Sequence, residues 1–228
     1  MTGTVLVTIA VIFRIITNPL ANVFQKQLTS KGNNPLIVNF LTYFLLSIFS
    51  LSFLFLIKSP NIENDFWIYS ILGGIVGAIG NGFLVKAIHM GDLSVLGPIN
   101  SYKSVVGIIL GIYLLSEIPN FWGLLGIALI IFGSYFVLDT TNEKFSLKLL
   151  KRPEIRFRIW ALILTAIEAI FVKKVILASS TLLAFISWCI FGAFFAFIVL
   201  FFYNIDFKYE LNKTLKTKFL KKFLFLII

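Results

Sequence analysis

Arg14, Asn18, Asn22, Gln25 and Lys26 recur at steps of four, four, three and one along an otherwise apolar segment. Helical spacing puts them on one face. A second apolar segment carries Gly97, Asn100, Ser104, Gly107 and Gly111 at steps of three and four, with Lys103 adjacent. Polar side chains in such segments are costly and usually face an interior or a watery cavity. One reading is that both stripes line a polar cavity, where Arg14 and Lys103 offer positive charge to a carboxylate or phosphate. The other is that the amides and hydroxyls join helices by hydrogen bonds, while Arg14 snorkels or pairs with Glu168. Both readings stand for Arg14, Asn18, Asn22 and Asn100. Lys103 lies about eleven residues into its segment, too deep to snorkel easily, which favours the cavity. Glu168 is the one acid well inside an apolar segment. It fits either a proton-coupling carboxylate or the counter-ion of Lys103 or Arg14.

Catalytic chemistry has little to work with. There is no HExxH, P-loop or GxSxG, and one histidine (His89) with one cysteine (Cys189) cannot build a usual zinc site. No metal or other cofactor is expected, and the chain reads as a non-enzyme. His89 reads as a solvated connector residue and Asp92 as the N-cap of the following helix. Glu117, beside Pro119, reads as a turn residue and Cys189 as a small apolar residue within a span.

The elements that must position these residues are membrane spans. Hydrophobic residues make up 59% of the 228 and charged residues 13%, which excludes an ordinary soluble domain. Apolar runs near 4–24, 35–57, 66–88, 93–115, 120–139, 157–173 and 182–203 are long enough to be read as spans, and an eighth begins near Phe219. The first has no basic n-region and no small-residue cleavage site, so it is not a signal peptide. The net charge of +10 comes from basic residues between spans, which points to a membrane surface and not to nucleic acid. Segments after spans one, three, five and seven hold fifteen Lys and Arg, including Arg156 and Arg158, against three on the other side. That bias puts the first side in the cytoplasm and the N-terminus outside.

A repeat runs through the spans. Phe24-Gln25-Lys26 closes one apolar segment and Phe171-Val172-Lys173 another, 147 positions later, and a second apolar run follows each. A repeat enclosing an odd number of crossings is inverted in the membrane, as in many secondary transporters. The expected fold is an all-α polytopic membrane protein built as an inverted repeat of five-helix units, the first complete and the second cut after about two and a half helices. The first unit covers 1–140, a basic linker 141–156, and the incomplete second unit 157–228. Residues 205–222 alternate Lys with Phe, Leu and Tyr, which suits either a short interfacial helix or a solvated connector. Gly73 with Gly77, Gly107 with Gly111, and Gly126 with Gly133 predict close helix approach.

Lys86-Ala87-Ile88-His89-Met90-Gly91-Asp92-Leu93-Ser94-Val95-Leu96-Gly97-Pro98-Ile99 resembles the third-to-fourth helix passage of the EamA-like drug/metabolite transporters. Ser116-Glu117 stands in the place of that family's Gly-Glu, and Gly123 to Gly133 looks like its glycine-rich fifth helix. Asn22 and Lys26 sit where its first helix usually has Asn and Lys. The resemblance implies ten helices in two inverted repeats around a central cavity, and transport of small metabolites across the cytoplasmic membrane by exchange or proton coupling. It also implies an N-terminus inside, against the charge count. The chain stops within Phe223–Ile228, a run too short to cross, and so reads as a fragment.

The function expected is a secondary-type carrier of a small polar metabolite, amino-acid-like or another organic solute, working by alternating access. Arg14, Asn18, Asn22, Asn100, Lys103 and Ser104 are the expected substrate contacts and Glu168 the coupling residue. The partners are the lipid bilayer, a small-molecule substrate and a second copy in a homodimer, with no nucleic acid. The alternative is a non-transporting truncated remnant or scaffold subunit that needs a partner.

Overall fold

The computed structural model describes residues 2–57, 62–116, 118–139 and 149–216. Glu117, the first half of the basic linker, Lys58 and the apolar run from Phe219 lie outside the described residues. Each of the seven complete spans read from sequence is helical, and no strand occurs among the described residues. The helices are α1 (Thr2–Thr29), α2 (Pro35–Leu51, prolonged by a 3-10 turn to Leu56), α3 (Asn64–Met90), α4 (Leu93–Ser101), α5 (Lys103–Leu115), α6 (Phe121–Asp139), α7 (Pro153–Leu177), α8 (Thr181–Phe202) and α9 (Phe207–Lys216). Val5–Thr29, Pro35–Leu56, Asn64–Met90, Leu93–Leu115 and Thr181–Phe202 are long and apolar enough to cross a membrane. The apolar part of α6 is shorter, Phe121–Val137. In α7 the apolar sequence is interrupted by Arg156, Arg158, Glu168, Lys173 and Lys174. The chain is an all-α, multi-pass membrane protein, with apolar side chains such as Leu6, Ile15, Trp122 and Phe201 on its outer surface.

Local chemistry sets the helix ends. Asn34 accepts a hydrogen bond from the Leu36 N–H at 2.9 Å and Pro35 takes the first position of α2, where its missing N–H costs nothing. Ser180 accepts from the Leu183 N–H at 3.2 Å to start α8. Asp92 does occupy the N-cap position of α4, but its side chain makes no capping bond; its backbone carbonyl accepts from Val95 and Leu96 instead. The fourth span breaks at Tyr102, whose N–H donates to the Ile99 carbonyl at 3.3 Å; Pro98 lies inside α4, one turn before the break.

α3 is the centre of the bundle, packed most extensively on α7 and also on α8 and α2. Its glycines explain the closeness. A Cβ on Gly73 would meet Phe171, on Gly80 would meet Leu164 and Thr165 at 3.0 Å, and on Gly77 would collide with the Glu168 carboxylate. Gly74 takes the same role against Phe191 of α8, at 2.6 Å. The other two expected glycine pairs do not work this way. A methyl added to Gly107, Gly111, Gly126 or Gly133 would have nothing within 4 Å. Gly107 and Gly111 line a groove of about 540 Å³ facing α7.

The two ends of the bundle differ. At one, Lys26 Nζ donates to the carbonyls of His89 (3.1 Å) and Gly91 (2.8 Å), and Gly32 lies beside Lys213. At the other, the Glu63 N–H donates to the Ala178 carbonyl at 3.1 Å. α9 closes the first end. Phe207 packs on Phe40 and Phe197, each at 5.6 Å between ring centroids, and Thr214 donates to Asn33 at 3.4 Å. The described part of 205–222 thus contains a short helix that packs Phe207 on the bundle and leaves Tyr209 exposed. Arg158 also moves. It falls at the start of the run 157–173 and inside α7, which starts at Pro153, and at 2% exposure it belongs to the bundle and not to the inter-span count.

Candidate functional site: a basic cavity between the helices

A cavity of about 490 Å³ lies between α1, α3, the α4–α5 junction, α6 and α7. α1 supplies Arg14, Asn18 and Asn22, one per turn on the face that the spacing defines. The junction after Pro98 supplies Asn100, Ser101, Lys103 and Ser104. All six residues expected to touch substrate therefore share one wall system. α3 adds Asn81 and α7 adds Arg158 and Thr165.

Arg158 is held by one contact, from Nε to the Leu96 carbonyl at 3.2 Å. Its Nη1 is buried and has no hydrogen-bond partner. It makes no ion pair among the described residues.

Glu168 is not in the cavity wall. It lies one layer behind, 6% exposed, where α7 meets α2, α3 and α8. Trp188 Nε1 donates to its Oε1 at 2.6 Å and the Tyr43 hydroxyl donates to the same oxygen at 3.4 Å. Tyr43 in turn accepts from Asn81 Nδ2 at 2.6 Å, and Asn81 also donates to the Gly77 carbonyl at 3.0 Å. One amide thus faces the cavity and holds the chain of bonds that ends on the buried carboxylate. Neither Lys103 nor Arg14 pairs with it among the described residues; its partners are neutral donors.

Sequence reasoning missed Asn81, Arg158, Tyr43 and Trp188. Asn81 left a signal, as the one amide inside the glycine-rich part of its span. Arg158 left a misleading one, since it continues the basic run from Lys151. Tyr43 and Trp188 left none, being two aromatics among many.

Residues 2–139 match the profile of the EamA-like transporter family. The chain belongs to that family. It is accordingly a multi-pass membrane protein of a transporter family, and the family is one of carriers and not of enzymes. No curated protein matches the chain. The EamA-like match covers α1 to α6, hence the walls bearing Arg14, Asn81 and Lys103; α7, with Arg158 and Glu168, lies beyond it.

Proposed function

We propose that this EamA-like protein carries a small polar metabolite across the cytoplasmic membrane by alternating access, with the cavity as its solute site. The observation that supports this is the gathering of cations, amides and hydroxyls from five helices around one partly open cavity in an otherwise apolar bundle. Such residues are expensive at membrane depth and mark solute pathways. Arg14, Asn18, Asn22, Asn100, Lys103 and Ser104 contact the solute. Glu168 is the coupling carboxylate, and Asn81 and Tyr43 link it to the cavity, so that a solute engaging Asn81 alters the bonding of Glu168. The basic end of the bundle faces the cytoplasm and the N-terminus faces outward.

The test compares cells producing the full chain with cells producing Lys103→Ala, at equal membrane levels. Small polar metabolites are measured inside and outside by mass spectrometry. At least one solute should change its distribution with the parent protein and revert with the variant. If no solute distinguishes the parent from cells lacking the protein, the carrier reading fails.

A further inference from the structure

Three cationic side chains, Arg14, Lys103 and Arg158, line the cavity, and no Asp or Glu is among its lining residues. A solute site for neutral or cationic metabolites has no need of three cations in a wall that holds no acid. The buried guanidinium sharpens the point. Arg158 is 2% exposed, spends one N–H on Leu96, and keeps Nη1 buried with nothing to bond. A buried cation without a partner is strongly unfavourable, and an anion that supplies both charge and acceptors relieves it. The planar fork of Arg matches two oxygens of a carboxylate or phosphate. Asn22, Asn81 and Asn100 add amides that can bond hydroxyl or carbonyl groups elsewhere on the ligand. The volume, about 490 Å³, is that of a small-molecule site.

We propose that the cavity selects small organic anions bearing a carboxylate or phosphate group, and that Arg158 grips the anionic group. This rests on the reading of the cavity as a solute site, and it adds the ligand's chemical class and a contact from the helix that follows the family match.

The experiment is thermal unfolding of the full chain in detergent micelles with glycerol 3-phosphate, succinate or glycerol. At least one of the two anions should raise the midpoint by several degrees, and glycerol should not. Arg158→Met should abolish the response and also raise the midpoint of the ligand-free protein, because an unpaired buried charge has gone. A purely structural arginine would do the reverse when removed. Should Arg158→Met not fold, Arg158→Lys keeps the charge without the fork and should weaken apparent affinity by about tenfold or more. The proposal is overturned if neither glycerol 3-phosphate, succinate nor short-chain phosphatidylglycerol stabilises the parent, if glycerol does so equally, or if the Arg158 variant that folds responds like the parent. Short-chain phosphatidylglycerol compared with phosphatidylcholine separates the two sources of such an anion. A response to the soluble anions supports a free metabolite, and a response to phosphatidylglycerol alone supports a lipid headgroup bound by the same chemistry. Because binding is read without transport, anion binding in a protein that moves no solute would sink the carrier reading and leave this one standing.

Discussion

Glu168 receives two hydrogen bonds on one oxygen, both from groups that cannot neutralise it. Gln at this position would keep an acceptor for Trp188 and Tyr43 but could not take up or release a proton. Glu168→Gln should therefore let the solute equilibrate across a vesicle membrane while removing accumulation driven by a pH gradient. Accumulation equal to the parent's would place coupling elsewhere. At this scale the sequence was informative where periodicity speaks. Arg14, Asn18 and Asn22 fall on one face because a helix repeats every 3.6 residues, and that holds whatever surrounds it. Asn81 and Tyr43 were out of reach because their roles depend on contact across 38 positions of chain, which no local spacing encodes.

The helices differ in what their small residues do. α3 carries Gly73, Gly74, Gly77 and Gly80 against α7 and α8, so a larger side chain must push helices apart. Gly74→Leu should lower stability by about 2 kcal/mol or more, whereas Gly107→Leu, which enters open space, should change it by less than about 0.5 kcal/mol. Unfolding of both variants in mixed detergent micelles gives the comparison; equal losses would mean that α5 is packed as tightly as α3. The glycine spacing looked alike in both segments. What separates them is whether the glycines touch the facing helix or look across a groove at it, a property of the bundle and not of the segment. An interruption of the fourth span was legible from Pro98, but its place was not: a missing N–H loosens the turn before the proline, whereas the break at Tyr102 comes one turn after it. Arg158 was counted between spans because it continues the basic series from Lys151, although it falls within the run 157–173 and inside α7.

The whole molecule has a basic end, where Lys26 clasps the close of α3 and α9 covers the α1–α2 turn, and an opposite end where the α2–α3 connection meets Ala178. With the lone Cys189 replaced by Ser, a single cysteine at Glu63 should react with a membrane-impermeant maleimide added to intact cells, and one at Ser30 should not. The reverse pattern would turn the molecule over and set the N-terminus inside. The class of fold was readable at this scale because length and apolar composition alone decide whether a helix can cross. The order of packing was not, since α3 pairs most closely with α7, a helix that begins more than sixty residues after α3 ends.

The sign of the charge in the cavity has a consequence for the membrane itself. Arg14, Lys103 and Arg158 disfavour sodium and potassium in the cavity. A cavity of this charge therefore gives an idle copy no favourable resting place for sodium or potassium.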